Sequence, residues 1–110
     1  MNTLDKDFVP YEEALALKEL GFNEPCFAWY NENGTLLSFN NIGYTSAPTF
    51  QQAFRWFRDK HGLHGSVTPL GYEILERDNP DGYWVCIVEV LTDTYDELAC
   101  LRKLLEIVKQ

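Results

Sequence analysis

Two turn signals, one in each half of the chain, most constrain the fold. Asn33-Gly34 is the preferred pair for a tight type I′ turn, and the run 79–82 (NPDG) places proline second and glycine last. Each signal separates two short apolar segments, 26–31 from 35–39 and 72–78 from 83–91. Short apolar segments joined by tight turns predict two antiparallel hairpins.

Capping signals predict three helices. The first begins at Pro10, whose fixed φ suits a first helical turn, and it stops at Gly21. The second opens at Thr49, which has the capping-box spacing to Gln52, and ends at Gly62.

Thr94 and Glu97 repeat the capping-box spacing and predict a third helix over 95–109. The element order is therefore αββαββα. This order predicts an α+β fold in which the two hairpins form a four-stranded antiparallel sheet packed against helices on one face. The three helix starts are alike, and either an internal duplication or shared capping chemistry explains that similarity.

Composition indicates a globular protein that is not a generic nucleic-acid binder. The chain has 110 residues, 45% of them hydrophobic, and a net charge of −8. We expect a short leader over 1–8 and one domain over 9–110. No run approaches the roughly 20 apolar residues of a membrane span, and no secretory signal is visible, so a cytoplasmic location is expected. The negative charge disfavours phosphate backbones and favours a basic protein partner.

The three cysteines, Cys26, Cys86 and Cys100, form no C-x-x-C pair and have apolar neighbours. They are typical of buried thiols in a reducing compartment. No cofactor is predicted.

The second helix carries an apolar stripe. Its members follow the i, i+3, i+4, i+7 spacing: Phe50, Ala53, Phe54 and Phe57. These rings are expected to face the core. The flank of the helix, formed by Arg55, Trp56 and Arg58, is a candidate contact for a partner. An alternative is nucleic-acid binding through the 49–61 helix.

The two histidines, His61 and His64, lack the H-E-x-x-H spacing of a zinc protease, and Gly62 separates them. No metal site is predicted from them alone. His61 is explained by a helix C-terminus, where the dipole favours a cation, and His64 by a loop.

The second hairpin places two carboxylates together. A three-residue loop with Gly82 as the bulge residue predicts four pairs: Asn79 with Tyr83, Arg77 with Val85, Leu75 with Ile87, and Glu73 with Glu89. Two facing acids suit general acid–base or divalent-metal chemistry, with the histidines as further ligands. The alternative is that Glu73 and Glu89 simply face solvent.

The same register assigns the faces of this hairpin. The predicted core side is Tyr72, Ile74, Trp84, Cys86, Val88 and Val90. Leu75, Val85 and Ile87 would then form an exposed apolar patch between the two acids, which is typical of a partner surface. In the first hairpin, a two-residue turn predicts Tyr30 opposite Leu37 and Ala28 opposite Phe39.

No phosphate loop, nucleophile elbow or catalytic triad motif is visible. Four stretches resemble a family of small uncharacterised proteins carried by phages and prophages of Bacteroides-type bacteria: 9–22 (VPYEEALALKELGF), 24–27 (EPCF), 47–58 (APTFQQAFRWFR) and 98–101 (LACL). The resemblance implies a mobile-element context and no particular activity.

These observations favour a non-enzymatic accessory domain of phage or prophage origin that binds a protein partner. The candidate contact residues are Arg55, Trp56, Arg58, Leu75, Val85 and Ile87. One alternative is a small metal-dependent or acid–base enzyme using Glu73 and Glu89, with His61 or His64 as further ligands. Self-association through the spare apolar face also stays open.

Overall fold

The computed structural model describes residues 6–78 and 82–109. The described elements are, in chain order, α1 (Tyr11–Glu19), β1 (Trp29–Tyr30), β2 (Leu36–Leu37), β3 (Thr45–Ser46), α2 (Phe50–His61), β4 (Leu63–Thr68), β5 (Gly71–Asp78), β6 (Tyr83–Leu91) and α3 (Glu97–Lys109). The α+β class is confirmed. Backbone contacts group the chain into two compact units, the first ending at Ala53 and the second beginning at Phe54.

The predicted four-stranded sheet is wrong, because each hairpin takes its third strand from its own half of the chain. In the first unit β3 pairs with β1, which gives the order β2-β1-β3. In the second unit β4 pairs with β5, which gives the order β4-β5-β6. The two hairpins therefore lie in separate three-stranded antiparallel sheets.

The first hairpin differs from its predicted register by one residue. Trp29 pairs with Leu37 and Tyr30 with Leu36, so the predicted pairing of Tyr30 with Leu37 is wrong. The reason is the turn: Asn31 accepts N–H donors from Asn33 and Thr35 through its Oδ1 atom, at 3.0 and 2.9 Å. In this turn only Gly34 has a positive φ, +79°, whereas a type I′ turn needs two such residues.

The core of the first unit is tied together by Val9. Its N–H donates to the Pro48 carbonyl at 2.8 Å, and its own carbonyl accepts the Tyr30 hydroxyl at 2.8 Å. The Tyr30 ring also meets Tyr11 edge-on at 5.4 Å between centroids. Val9, Leu17 and Tyr30 are all buried. These contacts join α1 and β1 to the segment that precedes α2.

Helix α2 confirms its predicted caps and its apolar stripe. Thr49 and Gln52 exchange two hydrogen bonds, at 2.9 and 3.2 Å, as a capping box requires. The helix ends before Gly62, which has a φ of +65°. Of the predicted stripe, Phe50, Ala53 and Phe57 are buried and Phe54 is half-buried.

Helix α3 packs on β4 and β5. Gly65 of β4 allows the close approach, because a Cβ there would lie 2.9 Å from Cys100 Sγ and 3.2 Å from Leu104 Cδ1. Ile74, which pairs with Gly65, is fully buried. The face of the sheet that carries Gly65 and Ile74 is therefore the core face of the second unit. Within the described residues, no helix has the length and apolar character needed to cross a bilayer.

The cap of α3 is Asp96 rather than Thr94. Asp96 Oδ1 accepts the Ala99 N–H at 2.9 Å, and the helix begins at Glu97. The Thr94 N–H is instead bound by the Thr92 hydroxyl at 3.1 Å, in a turn that precedes the helix. The predicted capping box at Thr94 is therefore wrong, because the chain makes one more turn before the helix starts.

Replacement of the observed and predicted caps separates the two assignments. Asp96→Ala should lower the free energy of unfolding by about 1 kcal/mol, because it removes the acceptor for a helix-terminal N–H. Thr94→Ala should change it by less than about 0.5 kcal/mol, as a surface substitution does. Urea unfolding measures both variants, and Asp96→Asn is the control that keeps the cap. A larger loss for Thr94→Ala than for Asp96→Ala would contradict the structure.

Candidate binding site on the second sheet

A bulge in β6 sets the geometry of this sheet. From Gly71 to Ile74 the β5 residues pair with Leu91 to Val88, so Glu73 faces Glu89 as predicted. The register then shifts between Ile74 and Leu75, and Ile87 is left without a partner. Such an extra residue is a β-bulge.

On the turn side of the bulge the predicted pairs are wrong by one residue. Leu75 pairs with Cys86 rather than Ile87, Arg77 with Trp84 rather than Val85, and Tyr83 with Asp78 rather than Asn79. The loop is therefore longer than the predicted three residues, and its positions 79–81 lie outside the described residues. The longer loop and the bulge shift the register by one residue in opposite directions. The predicted pairing of Glu73 with Glu89 is therefore nevertheless correct.

The bulge changes which side chains share a face. Directly paired residues point to the same face, so Trp84 and Cys86 lie on the face of Glu73 and Glu89. Both are exposed, and the prediction that they belong to the core side is wrong. We name the exposed side of the sheet, defined by Ser66, Glu73, Cys86 and Glu89, the acidic face.

The predicted apolar patch of Leu75, Val85 and Ile87 does not lie on one face. Leu75 is half-buried and belongs to the acidic face through its pairing with Cys86. Val85 pairs with Glu76 and so belongs to the opposite face, while Ile87 is the bulge residue. Val85 and Ile87 are exposed at 48% and 41%.

Three potential ligand atoms converge on the acidic face. One carboxylate oxygen each of Glu73 and Glu89 and the Sγ atom of Cys86 lie within 4.8 Å of one another. The backbone explains their closeness. Thr92 donates its N–H to the Leu70 carbonyl at 2.8 Å, so these two residues are a hydrogen-bonded pair. Hydrogen-bonded and non-hydrogen-bonded pairs alternate along an antiparallel ladder, and Glu73 and Glu89 are three positions farther along. They are therefore a non-hydrogen-bonded pair, whose side chains approach most closely.

The two acids border a shallow groove of about 200 Å³. Its lining combines the carboxylates with the hydroxyls of Ser66 and Thr68 and the apolar side chains of Leu70 and Leu91. Within the described part of the chain, neither Glu73 nor Glu89 forms an ion pair. Like charges directly opposite each other destabilise a strand pair, so this groove favours a cation.

Strand β6 is an exposed edge. It pairs with β5 on one side, and no described strand pairs with it on the other. Its exposed apolar residues include Tyr83 at 73% and Leu91 at 77%, besides Val85 and Ile87. Because the Leu70 and Thr92 backbones face each other, Glu89 and Leu91 direct their own N–H and C=O groups toward the free edge.

The predicted contact residues on α2 are divided. Arg55 and Arg58 are exposed, and Arg58 lies 3.7 Å from the Asp59 carboxylate. Trp56 is only 5% exposed, and its ring lies 5.1 Å from that of Phe57. The expectation that Trp56 is an exposed contact is therefore wrong. Because the Trp56 ring is buried, it is not available to stack on a base, and this weakens the alternative of nucleic-acid binding through this helix.

The two histidines are not part of the group formed by Glu73, Cys86 and Glu89. His61 ends α2, where its ring meets Trp56 at 4.9 Å. His64 belongs to β4 rather than to a loop, and its ring lies 5.9 Å from Trp84. Among the described residues, the group that could hold a metal contains neither histidine and instead includes Cys86, which the sequence assigned to the core.

The cysteines occupy three different environments. Cys100 is buried, and burial raises the pKa of its thiol to about 12. Cys26 is half-buried, and burial raises its pKa to about 11. Cys86 is exposed, so the prediction of three buried thiols is wrong for this residue.

No known protein family, curated protein or solved structure matches this chain. The sequence resemblance to phage and prophage proteins therefore stays a prediction. The assignment of a function depends on the geometry of the second sheet.

Thiol labelling tests the three environments. With iodoacetamide at mildly alkaline pH, Cys86 should react first, because it is accessible, whereas Cys26 and Cys100 have raised pKa values and little thiolate. Peptide mass spectrometry assigns each adduct. Cys86→Ser should remove the fast phase, and denaturation should make all three sites reactive. Fast labelling of native Cys100 would contradict its burial.

Proposed function

We propose that this protein is a non-enzymatic interaction domain that binds a protein partner by strand addition along β6. The observation that carries the proposal is the nine-residue edge strand with its row of exposed apolar side chains. A long apolar edge with free backbone groups is a template for another chain. The proposal includes a phage or prophage origin, which rests on the sequence resemblance alone.

The position of α3 supports this proposal. The helix packs on β4 and β5, the two strands farther from the free edge, and Val85 on the same face stays exposed. An incoming strand would extend the sheet and continue the core face beside Val85, Val88 and Val90. Main-chain hydrogen bonds would supply affinity, and alternate side chains would supply specificity.

Selection of peptides from a random display library tests strand addition. Peptides enriched on the wild-type protein should lose binding to the double variant Val85→Lys/Ile87→Lys, because lysines on an edge strand oppose further pairing. The matched control is Phe27→Lys/Ile42→Lys, which replaces exposed apolar residues of the first unit and should retain binding. Equal binding to the two double variants, or no enrichment on the wild type, would refute the proposal.

A second candidate function is the binding of a divalent cation, favoured by the convergence of Glu73, Cys86 and Glu89. A thiolate together with two carboxylates suits Zn²⁺ better than Mg²⁺ or Ca²⁺, which take oxygen ligands alone. A cation bound there would either stabilise the sheet or take part in a reaction at the acidic face.

Zinc titration against a chromophoric chelator tests this candidate. The wild type should compete for Zn²⁺, and Cys86→Ser and Glu89→Gln should each weaken competition about tenfold or more, as loss of a ligand or its support does. Glu76→Gln is the matched control, because Glu76 is exposed on the opposite face. Unchanged competition by Cys86→Ser would exclude the site.

A further inference from the structure

The acidic face and the free edge of β6 meet at Glu89. This residue forms the cross-strand pair with Glu73, lines the groove and directs its backbone groups toward the edge. The free edge of β6 and the two facing carboxylates thus meet at one place. We infer that the partner segment is basic, and that a lysine or arginine of the added strand lies beside Glu89 in the groove.

This inference rests on the proposed strand addition. In an added strand, the residue opposite Glu89 would point to the acidic face, because directly paired residues share a face. The Cβ atom of this residue would lie next to Glu89 of β6, whereas Glu73 is one strand farther away, on β5. A long cationic side chain spans that distance, whereas a short one does not.

The groove fits the rest of such a side chain. Leu70 and Leu91 line it together with the carboxylates, so the aliphatic stem has an apolar surface while the charged head meets Glu73 and Glu89. The Ser66 hydroxyl supplies a further acceptor. A cation there would relieve the repulsion between the two facing glutamates.

The opposite face of β6 requires a different residue type. Val88 and Val90 are half-buried and Val85 is exposed on the side where α3 packs. The neighbours of the cationic residue in the added strand would point to these valines and should be apolar. The partner segment is therefore an extended stretch in which cationic and apolar residues alternate.

The charge of the chain acts in the same direction. A net charge of −8 attracts a basic segment before contact and opposes addition of a second copy of this protein through the same edge. Charge complementarity therefore favours a basic partner over self-association.

Fluorescence anisotropy with synthetic peptides tests the inference. The probes are three labelled peptides of equal length that alternate valine with lysine, with threonine or with glutamate, each measured at low and high salt with EDTA present. The lysine peptide should bind most tightly, and added salt should weaken its binding. Glu73→Gln/Glu89→Gln should weaken it about fivefold or more, the combined effect of two partly exposed ion pairs.

Controls separate this inference from the proposed function. Glu76→Gln should bind the lysine peptide as the wild type does, because Glu76 lies on the opposite face. Val85→Lys/Ile87→Lys should lose all peptides. If the threonine peptide binds as tightly as the lysine peptide, strand addition stands and the basic partner is refuted. If no peptide binds and the library yields none, the proposed function fails as well.

Discussion

One extra residue in β6, Ile87, determines what the second sheet presents. Side chains alternate between the faces of a strand, so an inserted residue exchanges the faces of everything beyond it. Between Ile87 and the turn, Cys86 thereby joins Glu73 and Glu89, while Val85 moves to the side of α3. The same insertion thus brings Cys86 beside Glu73 and Glu89, and it distributes the exposed apolar residues of β6 over both faces of the sheet.

Helix α3 packs closely on the part of the second sheet that is away from β6. Gly65 lets the helix approach β4 within contact of Cys100 and Leu104, and Ile74 of β5 is buried beneath it. Helix α3 therefore packs on β4 and β5, whereas β6 forms the edge of the sheet opposite β4. The edge strand and the acidic groove lie next to each other at Glu89, and the proposed basic segment would contact both.

Much of the fold follows from local signals. The α+β class, the three helices, the cap at Thr49 and the inward Phe57 were all predictable, since caps and helical periodicity depend on neighbours in sequence. The sequence prediction lacks strand β4, although Leu63, Gly65 and Val67 alternate with polar residues, because the helix stop at Gly62 predicts a loop at His64. Strand β3, with two residues, carries too little pattern to be recognised.

The sequence by itself determined that three helices form, that α2 is capped at Thr49 and that each predicted hairpin reverses between its two strands. The pairing of Glu73 with Glu89 agrees with the sequence only because the longer loop and the bulge offset each other. Only the tertiary structure decided the partners of the hairpins, the insertion at Ile87 and hence the position of Cys86. The physical reason is the range of the interactions. Caps and turns are satisfied within a few residues. The loop of the second hairpin and its bulge each shift the register by one residue, and this register is a property of the pairing between β5 and β6 that no local signal in the sequence specifies.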